Sequence, residues 1–291
     1  MKISEESARK IPHSCIVKLQ AIYNSLKSAE RKAADFLLED PEFVGKSTIS
    51  EVAERAGCSE ATLVRLSRKL GFGGYPELKR GLSQESCLTA ENLYNGINVK
   101  DKPEDIIRKV FQSSIQALQD TLNVIDIREY MRAVEAICSS KKVVFFGVGD
   151  AGTVAESGFH KFKRVGYDCW ATSDADMQLM LSCQLKKNDV AILISHSGRS
   201  KSIVNAAKQV RSSGATSICI TNYPLSPLVK NSDILLLTAA FAEHLNGEVM
   251  SKRIAELCII ESLFISTLLN KGEILLNTME KSNMAVEINK L

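Results

Sequence analysis

The sequence predicts a two-part protein, an all-α helix-turn-helix N-terminal domain followed by an α/β domain with a five-stranded parallel sheet. Three observations predict it. The stretch from Ser50 to Leu70, SEVAERAGCSEATLVRLSRKL, reads as two short helices around a sharp turn. From Pro103 onward, short apolar runs alternate with helical patterns, the texture of βαβ units. Two loops of small residues follow the first and third of those runs.

In the helix-turn-helix, Val52, Ala53 and Ala56 place small apolar residues on one face of the first helix. Gly57 supplies the residue that most easily takes a left-handed turn. Ser59 is a good N-cap for the second helix, and Leu63, Leu66 and Leu70 repeat as a buried stripe. Ser59, Glu60, Thr62, Arg65 and Arg68 are left over as the outward face, and Lys69 follows in the same basic run. Hydroxyls and guanidiniums suit phosphate oxygens and guanine edges in a major groove. From Leu63 to Arg80 the chain carries Arg65, Arg68, Lys69, Lys79 and Arg80 against Glu77 alone. The whole 291-residue chain is only +3, so positive charge is concentrated beside the recognition helix.

The rest of the N-terminal part is helical. Ile16, Leu19, Ile22 and Leu26 make one amphipathic stripe. Ser28 is expected to open the next helix, with Arg31 where a capping box prefers Glu. That helix buries Ala33, Phe36 and Leu37 and ends near Pro41, and Tyr75 to Leu82 reads as one more short helix. Residues 1–83 are thus assigned to the helix-turn-helix domain, 84–102 to a polar linker, and 103–291 to the α/β domain.

In the α/β domain two amphipathic helices come first, on Ile107, Val110, Phe111, Ile115, Leu118 and Leu122, then Ile127, Met131, Val134 and Ile137. Strands are expected at Val143–Phe146, Asp168–Ala171, Val190–Ile194, Ser217–Thr221 and Ile234–Leu237. Helices are expected near Val154–Val165, Asp176–Leu185, Lys201–Ser213 and Met250–Leu269. A strand order of 2-1-3-4-5 makes a flavodoxin-like αβα sandwich and sets the first and third loops beside one crevice.

The first loop is Gly147-Val148-Gly149-Asp150-Ala151-Gly152, and the second is Ser195-His196-Ser197-Gly198-Arg199-Ser200. The second offers three hydroxyls, the N–H groups of a helix start and the adjacent Lys201, a cradle for phosphate or another small anion. Such a turn also has a plain structural use in capping a helix. The first loop is literally GxGxxG after a strand, with Asp174 downstream where a ribose would be held. That leaves an alternative open, a DNA-binding redox sensor that holds NAD(H).

Composition narrows the classes. The near-neutral charge excludes a wholly basic architectural protein, and 45% hydrophobic residues suffice for ordinary cores. Met1-Lys2-Ile3-Ser4-Glu5-Glu6 has no apolar core, so no signal peptide is expected. Glu256 and Glu261 interrupt the most apolar stretch, Ile254 to Leu269, which reads as a buried helix and not a membrane span. Eight cysteines form no CxxC pair and suit a reducing cytoplasm. No cofactor and no metal cluster is expected.

With those residues in view, the chain resembles the RpiR family of bacterial transcriptional regulators over nearly its whole length. The DNA-binding part matches through SEVAERAGCSEATLVRLSRKLGFGGYPELK. The remainder is similar to a sugar isomerase (SIS) domain through GVGDAG, ISHSGRSKSIVNAAK, CITNYPLSPLVKNSDILL and SKRIAEL. The resemblance implies a homodimer or homotetramer on double-stranded operator DNA, with a sugar-phosphate effector in the SIS domain. It further implies that Ser195, Ser197 and Ser200 hold phosphate, with Gly149 and Gly198 shaping the loops and Ser251 and Arg253 across the cleft. One departure stands out: many relatives carry a hydroxyl residue at Ala151, where this chain has Asp150 followed by Ala151. A carboxylate there repels phosphate unless it is paired, with Arg199 or Lys201 as candidate partners, or it accepts hydrogen bonds from sugar hydroxyls.

SIS domains also occur in sugar-phosphate isomerases, whose chemistry needs a base such as His or Glu. The histidines are His13, His160, His196 and His244, and Glu243-His244 is the pair to watch. An attached helix-turn-helix gives catalysis no evident purpose, so binding without turnover is the expectation.

Overall fold

In the computed structural model, residues 18, 19, 22, 23, 26–85, 101–240 and 250–289 are described. The chain divides into two compact units, Met1–Val124 with Phe241–Val249, and Ile125–Ala240 with Met250–Leu291. The helix over Pro103–Val124, assigned from sequence to the α/β part, groups with the first unit in this division. Most of the expected linker lies outside the described residues, as do Ile16, His13 and the Glu243-His244 pair.

The first unit begins its described helices with α1 (Ser28–Glu39), α2 (Pro41–Lys46), α3 (Ile49–Arg55), α4 (Glu60–Lys69) and α5 (Tyr75–Glu85). Its core joins Leu19, Ile22, Leu26, Ala33, Leu37, Val52, Ala53, Leu63, Leu66 and Leu70. The cap of α1 sits one residue earlier than expected. Lys27 is the N-cap residue, and the Glu30 carboxylate accepts the Lys27 backbone N–H at 3.1 Å. Only half of a capping box exists there, closed by Glu30 and not Arg31, because the Lys27 ammonium has no acceptor to return the bond. Thr48 caps α3 and exchanges bonds with Glu51, which closes a full capping box. The long helix α6 (Pro103–Val124) completes the described part of the unit.

The second unit opens with α7 (Ile127–Ser139), β1 (Lys142–Phe146), α8 (Asp150–Arg164) and β2 (Asp168–Thr172). There follow α9 (Ala175–Gln184), β3 (Val190–Ile194), α10 (Lys201–Ser213) and β4 (Thr216–Thr221). Then come α11 (Pro227–Lys230), β5 (Ile234–Leu237), α12 (Met250–Lys271) and α13 (Glu273–Glu287). The five strands are parallel in the order β2-β1-β3-β4-β5, as the sequence predicts. β1, β3 and β4 are buried on both faces because helices cover both. Val143, Phe145, Ile192, Ile194, Ile218 and Ile220 pack beneath residues of α7, α8 and α12, while Val144, Phe146, Ala191, Leu193 and Cys219 pack beneath α10.

Four local differences from the sequence reading have physical causes. α8 starts at Asp150 and not near Val154, because the glycine loop runs straight into helix. The short α2 and α11 and the terminal α13 go unanticipated, the first two for their brevity and the last for its weak apolar periodicity. The helix expected over 250–269 is present as α12, two residues longer, and no helix among the described residues is long and apolar enough to cross a membrane.

Candidate functional site

The loops after β1 and β3 meet at the carboxyl ends of adjacent strands, which is where this topology puts a ligand crevice. A cavity of about 260 Å³ opens there, lined by Val148, Asp150, Ala151, Ser195, His196, Ser197, Ser200, Lys252 and Glu256.

Backbone geometry explains the glycines. Gly147 is packed so close to the Ala151 carbonyl that a β-carbon has no room. Gly198 takes φ of +61°, and a β-carbon there would run into the Ser226 hydroxyl oxygen. The Gly198 N–H donates to the Ser195 carbonyl at 2.9 Å and the Gly198 carbonyl accepts from Leu228 at 3.0 Å, which folds the serine loop inward. The His196 carbonyl accepts the Asn222 N–H and the Thr221 hydroxyl, both at 3.0 Å, so the loop is anchored to the end of β4.

The hydroxyls are placed accordingly. Ser195 is buried and its hydroxyl donates to Ser200 Oγ at 3.2 Å. Ser197 Oγ accepts the Arg199 N–H at 3.2 Å. Ser200 is the N-cap residue of α10, yet its hydroxyl makes no capping bond. Three hydroxyls thus line one cavity at the start of α10, an arrangement suited to a tetrahedral anion.

α12 supplies the opposite wall. Lys252 Nζ lies 3.4 Å from Asp150 Oδ2, and Arg253 Nη1 lies 3.7 Å from Asp150 Oδ1. Asp150 is therefore paired, but with these two residues and not with Arg199 or Lys201. Glu256, one helical turn beyond Lys252, is 1% exposed and its Oε1 has no hydrogen-bond partner. Burial pushes its carboxyl up to about 8, against the pull of Lys252 and Arg253. His196 is its counterpart. Burial, helped by Lys252, pushes the imidazole down to about 4, and Nδ1 is buried without a partner. At neutral pH the cavity thus holds a protonated carboxyl and an uncharged imidazole beside the serines.

Of the residues expected to bind an effector, Ser195, Ser197 and Ser200 line the cavity, while Gly149 and Gly198 shape its loops. Arg253 reaches it through Asp150, and the Ser251 side chain lies outside the described residues. Sequence reading missed Glu256 and Lys252 as site residues. Glu256 had registered only as an interruption in an apolar run, although a carboxylate inside a buried helix is itself a signal. Gln178 was also missed: its Nε2 donates to the Gly147 carbonyl at 3.1 Å and the Thr172 carbonyl at 2.9 Å, tying α9 to the first loop. Asp174 accepts the Met177 N–H at 2.8 Å as the N-cap of α9, so its carboxylate is engaged locally.

In the helix-turn-helix, Gly57 has φ of +60° and turns the chain between α3 and α4. Ser59 caps α4 by accepting the Thr62 N–H at 3.3 Å. The Ser50 hydroxyl donates to the Glu60 carboxylate at 2.6 Å, which locks the two helices together. Thr62 does not face outward as expected. It is 2% exposed, lies 2.9 Å from the Ser59 hydroxyl and accepts from Arg65 at 3.3 Å. Its position one residue before Leu63 turns it toward the core side of α4. Lys69 bonds Glu30 on α1 at 2.7 Å. Burial alone would raise the Glu30 carboxyl, but Lys69 and the Lys27 N–H hold it below its ordinary value. The face left open on α4 comprises Ala61, Arg65 and Arg68, spaced i, i+4, i+7. Ala61 is the member that sequence reading passed over.

Residues 14–87 match the helix-turn-helix domain of the rpiR family, and residues 136–266 match the SIS domain. An HTH-type transcriptional regulator of Caldanaerobacter subterraneus is 32% identical over 273 residues, 94% of this chain and 97% of that relative. The chain belongs to the RpiR family. HexR of Pseudomonas aeruginosa, also an HTH-type transcriptional regulator, is 31% identical over 254 residues, 87% of this chain and 89% of HexR. The fold is shared with Vibrio vulnificus NanR, solved in complex with ManNAc-6P. The TM-score is 0.62 at 24% identity, covering 95% of this chain and 100% of that one. As an RpiR-family member, the chain is a DNA-binding transcriptional regulator with a SIS domain.

Proposed function

We propose that this RpiR-family regulator senses a sugar phosphate in the SIS cavity and adjusts its grip on double-stranded operator DNA in response. The observation that carries the reading is the convergence of Ser195, Ser197 and Ser200 on an uncapped helix start, opposite Lys252. Phosphate takes the hydroxyls and the N–H groups of α10. The sugar then extends toward α12, where protonated Glu256 both donates to and accepts from a hydroxyl and Asp150 accepts from others. NanR was solved with a sugar phosphate, which supports this class of ligand. On α4, Arg65 and Arg68 reach base edges or phosphates, Ser59 and Glu60 set the entry of the helix, and Lys69 supports it through Glu30. Two recognition helices from two copies reach successive major grooves, as half-sites one turn apart require. The setting is the cytoplasm, where operator DNA and phosphosugars meet. The effector shifts DNA occupancy only by its differential affinity for the two arrangements of the reading heads.

A thermal-shift screen over a panel of sugar phosphates, with inorganic phosphate, NAD and NADH included, tests the reading. A sugar phosphate at saturating concentration raises Tm, and the nicotinamides do not. Stabilisation by NADH alone contradicts it.

A second reading, turnover of the bound sugar phosphate, draws on the uncharged His196 and protonated Glu256 in one cavity. Binding without turnover is preferred, because an imidazole held to about 4 is a weak base at neutral pH. Aldose–ketose interconversion by the purified protein, lost in Glu256→Gln, would favour the second reading.

A further inference from the structure

Helix α6 is built inside out. Its buried positions include Asp120 and Thr121, while Ile107, Phe111, Ile115 and Leu122 are 60, 64, 53 and 76% exposed. With half-buried Leu118, these apolar residues recur at steps of four, four, three and four, which keeps them on one stripe of the helix. A single chain gains nothing from holding them in water.

We propose that this stripe is the surface through which a second copy of the chain docks, α6 against α6, antiparallel about a two-fold axis near Ser114 and Ile115. The proposal specifies an interface for the two-copy reading given above and rests on it. Three observations select the occupant. The stripe is self-complementary under that axis: Ile107 of one copy meets Leu122 of the other, Phe111 meets Leu118, and small Ser114 makes room for Ile115. Charge points the same way. From Val110 to Val124 the only charged side chain is Asp120, which is buried and accepts from Gln116 at 2.9 Å. All the other charges of α6 sit in its first two turns, at Glu104, Asp105, Arg108 and Lys109. Parallel pairing would stack each on its own like charge, whereas antiparallel pairing lays them beside the uncharged end of the partner helix. Area is the third. At roughly 150–200 Å² for each large side chain, the four exposed residues offer about 400–500 Å² of apolar surface per copy. A stable interface needs about 800 Å² per partner, which the flanking Arg108, Gln112 and Gln119 bring within reach.

Sedimentation equilibrium of the full chain tests it, with circular dichroism and sugar-phosphate thermal shift as controls for folding. Wild type is expected to be a dimer or larger, and Ile107→Lys and Leu122→Glu each to raise the dissociation constant of one interface at least tenfold. The double variant Ile107→Lys with Leu122→Glu is expected to regain most of the lost association, because the new charges face each other only in the antiparallel pairing. An oligomer unchanged by both single variants overturns the interface and leaves the two-copy reading standing. Weakening in the single variants without recovery in the double variant overturns the antiparallel pairing. A monomeric wild type overturns both readings.

Discussion

Lys252 holds the Asp150 carboxylate at 3.4 Å across the rim of the SIS cavity, with Arg253 at 3.7 Å from the other oxygen. The Asp150 carboxylate is thus neutralised by the wall that faces the serine cradle. It also competes with an incoming anion for the same two cations. Asp150→Asn is expected to tighten phosphosugar binding by up to about fivefold, the range of a partly exposed ion pair. Isothermal titration calorimetry measures this, and weaker binding in the variant would show that Asp150 contacts the sugar more than it restrains the cations.

Stability should report the two abnormal groups in the cavity. Folded Glu256 keeps its proton to about pH 8, whereas the unfolded carboxyl ionises near 4.5. Between those values the native state binds the extra proton, so stability falls as pH rises. Folded His196 stays neutral down to about 4, whereas the unfolded imidazole takes a proton below 6.5, so its contribution rises with pH over that window. The slopes oppose each other below 6.5, and only that of Glu256 remains from 6.5 to 8. The Tm of the unliganded protein is expected to drop across the upper window, and Glu256→Gln to flatten it. An equally steep drop in the variant removes Glu256 as the cause.

Gly198→Ala should be costly for a small change. The residue has φ of +61°, and the added methyl collides with Ser226. Backbone strain of this kind costs about 1–3 kcal/mol. The serine loop would open, so effector binding should weaken by more than the loss in global stability. Chemical denaturation and calorimetry, run in parallel on the variant, separate the two. Full effector affinity with unchanged stability would show that the loop tolerates the side chain.

On the DNA side, Arg65→Ala and Arg68→Ala are each expected to cost about 1–3 kcal/mol in operator affinity if they read bases. Thr62→Ala should instead lower stability, since that hydroxyl is buried against Ser59. Lys69→Ala should also act through stability, by leaving Glu30 without its cation. Gel-shift titration beside thermal denaturation distinguishes the two groups, and unchanged operator affinity in both arginine variants would remove α4 from the major groove.

Much of this was legible from residue pattern. Short apolar runs between helical stretches make β1, β3 and β4 legible, because strands covered on both faces show no exposed–buried alternation, whereas the edge strand β2 does alternate, with Asp168 and Trp170 exposed. The SHSGRS loop announced itself by three hydroxyls and a glycine at a strand end. Glu256 and Lys252 were hidden because their role depends on how α12 lies across the sheet, a long-range fact with no local signature. Thr62 misled for a related reason: a hydroxyl on a short helix fits the surface equally well until packing decides the rotation of α4. The α1 cap is not legible in the residues because its N-cap is Lys27, whose side chain only donates, so the Glu30 carboxylate alone serves the helix start.

The decisive measurement is operator affinity with and without a stabilising sugar phosphate, in wild type and in Ser197→Ala. The effector should change wild-type affinity severalfold, while the variant binds operator normally and no longer responds. A variant that responds as wild type does would contradict the serine cradle as the sensing site.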